Sequence, residues 1–345
     1  MKKEVKINKK LIGASNPTYI IAEIGANHNC NLDTAKNLIN KALEAGVDAV
    51  KFQTYKADTL YSKKTPRFSK DDMDPYDLIK KHELPPEWHK ILFDYTNDKK
   101  LDFISSPFDY ESVDLLEKIG VPCYKIASFE ITDLEFLKYI ANKKKPVIIS
   151  TGLADIEEIN DALKAVRSAG NDDIILLHCN SLYPSPYDIV NLKAIQTMQN
   201  IYRIPIGFSD HTLGIHIPIA AVTLGACIIE KHFTLDRNMI GPDHSFALEP
   251  RELKKMVTNI RELQKAMGNG IKKRSNLEEE MYEKGRRSII AAKNIPQDAK
   301  ITRDMIVVKR PGYGIKPKFI NKLIGKKTKR NIKAEEWITW NDIKK

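Results

Sequence analysis

Gly207-Phe208-Ser209-Asp210-His211-Thr212 and Glu230-Lys231-His232-Phe233-Thr234 decide how this chain of 345 residues folds. Each is a short apolar run that ends in a histidine flanked by polar groups. Residues 204–208 read as one buried strand and residues 226–230 as another, with an apolar, helix-like segment at 215–225 between them. This is strand, helix, strand, with chemistry at the carboxyl end of both strands, where a parallel barrel puts its active site. Two neutral imidazoles on neighbouring strand ends suit one divalent metal. A single histidine at such a place is more often a core residue. The matched pair at equivalent ends favours function.

The same unit recurs on the way to the N-terminus. Residues 19–24 form a first strand leading into Ala22-Glu23-Ile24-Gly25-Ala26-Asn27-His28-Asn29. Asp33 caps a helix that Gly46 stops. Residues 48–52 are a second strand that carries Lys51, with Gln53 just beyond. A strand covered on both faces leaves Lys51 no water, so it requires an anionic partner. Strands at 101–105, 123–127, 147–150 and 174–178 follow. They run into Ser105-Ser106-Pro107-Phe108, Ser128-Phe129-Glu130, Ser150-Thr151-Gly152 and the loop 179–187. A helical segment follows each strand, the last at 252–267. Eight strand–helix units make a (β/α)8 TIM barrel over residues 1–268. A doubly wound sheet is the structural alternative, but no glycine-rich dinucleotide fingerprint follows any strand. Residues 2–16 read as a lead-in hairpin. Residues 56–86 read as a long polar insertion of the kind that serves as a lid or binding loop.

Composition sets the class. Hydrophobic content of 42% and charged content of 29% describe a globular protein with a sizeable core. No apolar run reaches about 18 residues, so no membrane span is expected. The first residues, Met1-Lys2-Lys3-Glu4, lack a hydrophobic signal core. Cys30, Cys123, Cys179 and Cys227 show no CxxC spacing, which fits reduced thiols in a cytoplasmic protein. Residues 269–285 read as a charged linker, and the texture changes from 286. Residues 286–345 hold 17 Lys+Arg against 5 Asp+Glu, a net of +12 in a chain whose total is +11, so the barrel is nearly neutral. This module is small for a large core of its own and is expected to pack on something else. It has no RNA-binding aromatic signature and no zinc-finger spacing, so its charge points to small anions rather than nucleic acid.

The strand ends collect Glu23, Lys51, Gln53, Ser106, Lys125, Ser128, Glu130, Ser150, Ser209, Asp210, His211, His232 and Asp243. Lysines and hydroxyls on one face suit phosphate and carboxylate. Two histidines suit a divalent Lewis acid on a carbonyl, and a glutamate supplies a base. Together they suggest carbon–carbon bond formation between a phosphorylated enol acid and an aldehyde. No nucleophile elbow, P-loop or Cys–His signature is present.

Motif by motif, the chain resembles the sialic acid (N-acetylneuraminate) synthase family. The resemblance is carried by Ile21-Ala22-Glu23-Ile24-Gly25-Ala26-Asn27-His28, Val50-Lys51-Phe52-Gln53-Thr54, Tyr124-Lys125-Ile126-Ala127-Ser128 and Ser150-Thr151-Gly152. It continues in Leu182-Tyr183-Pro184, Ser209-Asp210-His211-Thr212-Leu213-Gly214, Glu230-Lys231-His232-Phe233-Thr234 and Gly241-Pro242-Asp243-His244. Residues 286–345 resemble the small β-rich antifreeze-like (SAF) domain that closes these enzymes.

The resemblance implies that Lys51, Gln53, Ser106, Lys125, Ser128, Ser150 and Ser209 hold phosphoenolpyruvate. It implies that His211 and His232 bind Mn2+, with Mg2+ or Co2+ as substitutes. The metal then polarises the aldehyde of an open-chain N-acetylated hexosamine, N-acetylmannosamine first. Glu23 manages protons, Asp243 and Glu130 contact the sugar, and Ser181 and Tyr183 line its side. Arg310, in Lys309-Arg310-Pro311-Gly312, matches a family arginine that reaches the other subunit's site, which implies a domain-swapped homodimer. Two features keep a second acceptor open. Ala127-Ser128-Phe129-Glu130 stands where many N-acetylneuraminate synthases have Gly-Ser-Gly-Glu, and Ser181 stands where they have Asn. The first looks more like pseudaminic acid synthases and the second more like legionaminic or pseudaminic members, whose acceptor is a 2,4-diacetamido-trideoxyhexose. Gly241-Pro242-Asp243-His244 is shared by neuraminate and legionaminic types.

Overall fold

The computed structural model describes residues 2–68 and 73–345; Met1 and residues 69–72 of the insertion lie outside the described residues. The chain divides into two compact units, residues 1–268 and 269–345.

The first unit opens with the hairpin β1 (Glu4–Ile7) and β2 (Lys10–Gly13). Eight parallel strands follow: β3 (Tyr19–Glu23), β4 (Ala49–Thr54), β5 (Asp102–Pro107), β6 (Tyr124–Ile126), β7 (Val147–Ser150), β8 (Ile174–Cys179), β9 (Ile206–Asp210) and β10 (Ile228–His232). Their order around the sheet is β5-β4-β3-β10-β9-β8-β7-β6, and the two end strands β5 and β6 touch. This is the expected (β/α)8 barrel, nearly closed. The principal helices after successive strands are Leu32–Ala45, Pro86–Asp98, Tyr110–Ile119, Leu134–Ala141, Ile156–Ser168, Lys193–Tyr202, His216–Thr223 and Pro250–Met267.

Both faces of every barrel strand are covered, so apolar residues alternate between two cores rather than between core and water. Ile20, Ala22, Val50, Phe52, Phe103, Leu176, Phe208 and Ile229 pack outward against the helices. Tyr19, Ile21, Ala49, Ile104, Cys123, Ile148, Leu177 and Ile228 fill the lower interior, together with Val5, Ile7 and Ile12 of the hairpin. The hairpin therefore plugs the amino-terminal mouth. The Tyr19 hydroxyl and the Asn8 amide donate to Asp102 there, at 2.6 and 2.5 Å. Each fully buried Ile or Leu contributes about 1.5–3 kcal/mol. The insertion is not bare loop: it contains the short helices Ala57–Leu60 and Pro75–Lys80, and Glu83 accepts from the Ala57 N–H at 2.7 Å.

The second unit carries helix Glu279–Gly285 in the stretch read as a linker, then the antiparallel pair β11 (Ser288–Ala291) and β12 (Ile306–Lys309). Small as the module is, it has its own buried cluster, which includes Ile289, Ile295, Ile301, Ile306, Ile332, Ile338 and Ile343. β-Branched side chains spaced along short strands and bridges fill a small volume without long helices. No helix among the described residues is long and apolar enough to cross a membrane.

Candidate active site

Strand alternation builds the site before any loop is considered. Above the apolar interior rung, the same inward faces carry Glu23, Lys51, Gln53, Ser106, Lys125, Ser150, Cys179, Ser209, His211, Glu230 and His232. All except Gln53 are buried. Strands β9 and β10 run two residues further than the sequence suggests, through Asp210 and His232. Polar groups at these ends are tolerated in the ladder because they find partners across the barrel.

The charge centre is Lys51. Its ammonium lies 3.1 Å from Glu23 Oε2, 3.4 Å from Glu230 Oε2 and 3.4 Å from Ser106 Oγ. The anionic partner that a lysine inside the barrel requires is thus present twice. Gln53 donates to Glu23 Oε1 at 2.7 Å. Lys125 donates to Ser150 Oγ at 2.6 Å and to the Ile126 carbonyl at 2.9 Å, and lies 3.9 Å from Glu230 Oε1. Ser209 donates to Glu230 Oε1 at 2.9 Å.

The two carboxylates differ. Burial pushes Glu23 up to about 7 against the pull of Lys51, and the Glu230 charge adds to the rise. Burial acts the same way on Glu230, but Lys125 and Lys51 outweigh it and hold that carboxyl below its usual range. Burial lowers Lys125. The result is two ammoniums and several hydroxyls facing one firmly ionised carboxylate and one that is readily neutralised. A small multiply charged anion finds both cations here without solvent competition.

Beside this centre lie the imidazoles, ring centroids 5.4 Å apart. His211 Nδ1 is 2.7 Å from the Asn180 carbonyl, so it carries the proton and leaves Nε2 with its lone pair when neutral. His232 is pushed well below its ordinary value, first by burial and then by His211 and Lys51. It is a neutral ring whose buried Nδ1 has no hydrogen-bond partner among the described residues. No group of three or more His, Cys, Asp or Glu side chains among the described residues forms a metal cluster. His211 Nε2 and the unpartnered Nδ1 of His232 offer two imidazole donors, a pair that suits a divalent ion with its other positions open. Tyr183 stacks 4.3 Å from His211, and Phe246 lies 5.0 Å from His232 and 5.5 Å from Tyr183, forming an aromatic wall.

The remaining groups surround these two centres. Gly152 N–H donates to Ser128 Oγ at 3.0 Å. A Cβ at position 152 would come within 2.4 Å of Ser181 Oγ and 2.7 Å of Ser128 Oγ, so only glycine admits both hydroxyls. Ser181 Oγ and Glu130 Oε2 are buried without a hydrogen-bond partner among the described residues, and burial pushes Glu130 up to about 7. Asp243 Oδ2 accepts from the Ala26 N–H at 3.2 Å and lies 3.7 Å from His232 Nδ1. Burial raises its carboxyl. Arg310 lies in the second unit, exposed, directly after β12.

Gly25 seats Asp243. It has φ +50, and a Cβ there would fall 2.6 Å from Asp243 Oδ2 and 3.2 Å from Glu23 Oε1. Gly25→Ala is expected to cost about 1–2 kcal/mol in backbone strain and to drive Asp243 off its seat. Thermal unfolding would show the strain as a lowered Tm, and an unchanged Tm would contradict it.

One expectation is corrected. Asp210 belongs to the strand ends but faces the helices, where Lys231 meets it at 2.6 Å; strand alternation gives it the opposite face from Ser209 and His211. Three groups were missed: Glu230, Cys179 and Phe246. Cys179 Sγ sits 3.7 Å from Ser128 Oγ and 3.9 Å from His211 Nδ1. Counting back two residues from His232 would have found Glu230. Phe246 arrives from a distant loop and carries no such signal.

The NeuB family model matches residues 38–272 and the SAF domain model residues 286–344. An N,N'-diacetyllegionaminic acid synthase of Campylobacter jejuni is 45% identical over 329 residues, 93% of this chain and 98% of that one. A pseudaminic acid synthase of Helicobacter pylori is 37% identical over 338 residues, 95% and 98% of the two chains. The crystal structure of the N-acetylneuraminic acid (sialic acid) synthetase from Leptospira borgpetersenii has a TM-score of 0.74 at 37% identity, covering 82% of this chain and 96% of that one. The chain belongs to the NeuB family of nonulosonic acid synthases, with a SAF domain at its C-terminal end.

Proposed function

We propose that this enzyme condenses phosphoenolpyruvate with an open-chain N-acetylated hexosamine and water, releasing phosphate and a nonulosonic acid. The buried Lys51–Lys125 pair, with Ser106, Ser128, Ser150 and Ser209 on adjoining strands, carries the reading, because this set suits a compound with both phosphate and carboxylate. Gln53 holds Glu23 in place. C3 of the enol attacks the aldehyde carbon, and the enol π electrons form the new carbon–carbon bond. The aldehyde oxygen becomes an alkoxide. Water adds at C2 and gives one proton to Glu23, which returns to the alkoxide. The C2 hydroxyl then gives its proton to the bridging oxygen, the bond between C2 and that oxygen breaks, hydrogen phosphate departs and the 2-keto acid remains. A divalent ion, Mn2+ or in its place Mg2+ or Co2+, would be held by His211 and His232 and would supply Lewis-acid polarisation of the aldehyde. Tyr183 and Phe246 shield the apolar side of the acceptor, and Asp243, Glu130 and Ser181 meet its hydroxyl and amide groups. In the same reading Arg310 serves the site of a second copy, in a domain-swapped homodimer.

For the acceptor we favour a 2,4-diacetamido-trideoxyhexose of the legionaminic type. The 45% identity to an N,N'-diacetyllegionaminic acid synthase and Ser181 support it over N-acetylmannosamine, which the motifs alone put first. N-Acetylmannosamine is kept as a second reading by Gly241-Pro242-Asp243-His244.

Phosphate release from phosphoenolpyruvate with Mn2+ tests both levels. Three acceptors are tried separately: N-acetylmannosamine, the 2,4-diacetamido mannose-type sugar and the 2,4-diacetamido altrose-type sugar. Turnover is expected with the mannose-type diacetamido sugar, and loss of it on chelation and in His211→Ala. Turnover confined to another acceptor would change the product and keep the mechanism. No phosphate with any of them, on folded and metal-loaded protein, would overturn the reaction itself.

A further inference from the structure

Asp210 and Lys231 are each 1% exposed and stand on the outer face of the ladder, away from the substrate groups. They lie directly opposite each other in the β9–β10 register. Lys231 Nζ donates to Asp210 Oδ2 at 2.6 Å and also to the Thr212 carbonyl. Asp210 accepts from the Thr212 N–H at 2.9 Å and from its hydroxyl at 3.2 Å. Each partner is the chain neighbour of one imidazole: Asp210 precedes His211, and Lys231 precedes His232. A buried ion pair is a weak source of stability, because desolvation offsets the attraction and an apolar pair of similar volume often does as well. Geometry is what this pair supplies. It closes the Asp210–Thr212 turn onto the end of β10, so neither strand end shifts without leaving a buried charge bare.

We propose that the Asp210–Lys231 pair is a positioning device that holds His211 and His232 at the separation one shared divalent ion requires. The inference rests on the reading of these histidines as metal ligands. The two rings are anchored unequally. His211 is oriented by its own bond to the Asn180 carbonyl, at 2.7 Å. His232 Nδ1 has no hydrogen-bond partner among the described residues. Its ring direction therefore depends on contacts with Tyr183 and Phe246 and on a backbone that Lys231 ties down. Loosening the pair should move His232 first. Second-sphere groups of this kind are worth about tenfold to a hundredfold in metal affinity.

The test is Mn2+ affinity, read by electron paramagnetic resonance of the free ion, in wild type, Lys231→Met, Asp210→Asn, His211→Ala and Arg261→Met. Arg261 is the control for a merely structural ion pair. It joins Asp48 at 2.7 Å and the Thr18 carbonyl at 2.5 Å, both at the amino-terminal ends of strands. Lys231→Met and Asp210→Asn are expected to raise the Mn2+ dissociation constant at least tenfold, with the KM for phosphoenolpyruvate within twofold. Arg261→Met is expected to lower Tm and to leave Mn2+ affinity within twofold. Asp210→Asn is nearly isosteric and carries the test if Lys231→Met does not fold. Wild-type affinity in either folded variant of the pair would overturn the inference, as would an equal loss in Arg261→Met. If wild type binds no Mn2+, or His211→Ala binds it as tightly, the ligand reading fails and the inference with it.

Discussion

Replacing Lys51 by methionine is expected to lower kcat/KM for phosphoenolpyruvate about a thousandfold, because truncating one partner of a buried charge pair between two bound species costs roughly 2–5 kcal/mol of binding and ~1.4 kcal/mol is a factor of ten. The structural reason is the position of its ammonium, 3.1 Å from Glu23 and 3.4 Å from Glu230. Methionine keeps the length of the side chain and removes the charge. Two buried carboxylates are then left facing each other, with only Lys125 nearby, and one of them must take a proton. In the proposed reaction, the phosphoenolpyruvate anion then loses one of its two cations. The loss should fall mainly on KM for phosphoenolpyruvate, with KM for the acceptor far less affected. Steady-state phosphate release against phosphoenolpyruvate concentration is the measurement. An unchanged KM for that substrate would show that the anion binds elsewhere. Lys125→Met should also be deleterious but milder for stability, since Lys125 lies farther from Glu230, at 3.9 Å, and burial already lowers it.

The second large effect is on pH dependence. Glu23 is raised from 4.5 to about 7 by burial and by its neighbour Glu230. As a base it works only when ionised, so kcat/KM should fall as pH drops below about 7. The phosphate of the substrate itself titrates near pH ~6, so the wild-type profile alone does not assign the group. Glu23→Gln does. It should lower the rate by about 10²–10⁴ and flatten the limb near 7, leaving only the substrate's own titration. Glu130 is also raised to about 7, and Glu130→Gln is the control, expected to raise KM for the acceptor while keeping the limb. A Glu23→Gln enzyme that retains the limb would move the base elsewhere. Stability has its own sign here. A carboxyl whose folded value lies above its unfolded one binds more protons when folded. Its contribution is therefore present at low pH and lost as pH rises from about 4.5 toward 7. Glu23→Gln should remove that slope from a plot of Tm against pH.

The barrel was legible because both of its signals are local. Apolar runs of strand length alternate with helical stretches, and each polar strand end marks a carboxyl terminus. Lys51 was legible for a different reason: a lysine inside a strand covered on both faces has to be paired, whatever the fold. Asp210 shows where that reasoning stops. It sits between Ser209 and His211, and nothing in the motif says that it faces the helices while its neighbours face the axis. Glu230 was passed over for the same reason, as one polar residue in a run of three. The members of the C-terminal module's small core were not legible, because it is assembled from isoleucines scattered over short bridges, which no periodic pattern announces.

The sequence by itself determined the eight-unit barrel, the histidines and lysines at its strand ends and the family to which they belong, since strand length, alternation and motif order are properties of neighbouring residues. Only the tertiary structure decided which charges meet. Glu23, Lys51 and Glu230 stand on three adjacent strands that become neighbours when β10 closes against β3, bringing the end of the barrel sequence back beside its beginning. That closure buries both carboxyls, which raises Glu23, and sets Lys125 and Lys51 against Glu230, which lowers it; desolvation and charge act through space, and distance along the chain has no part in it.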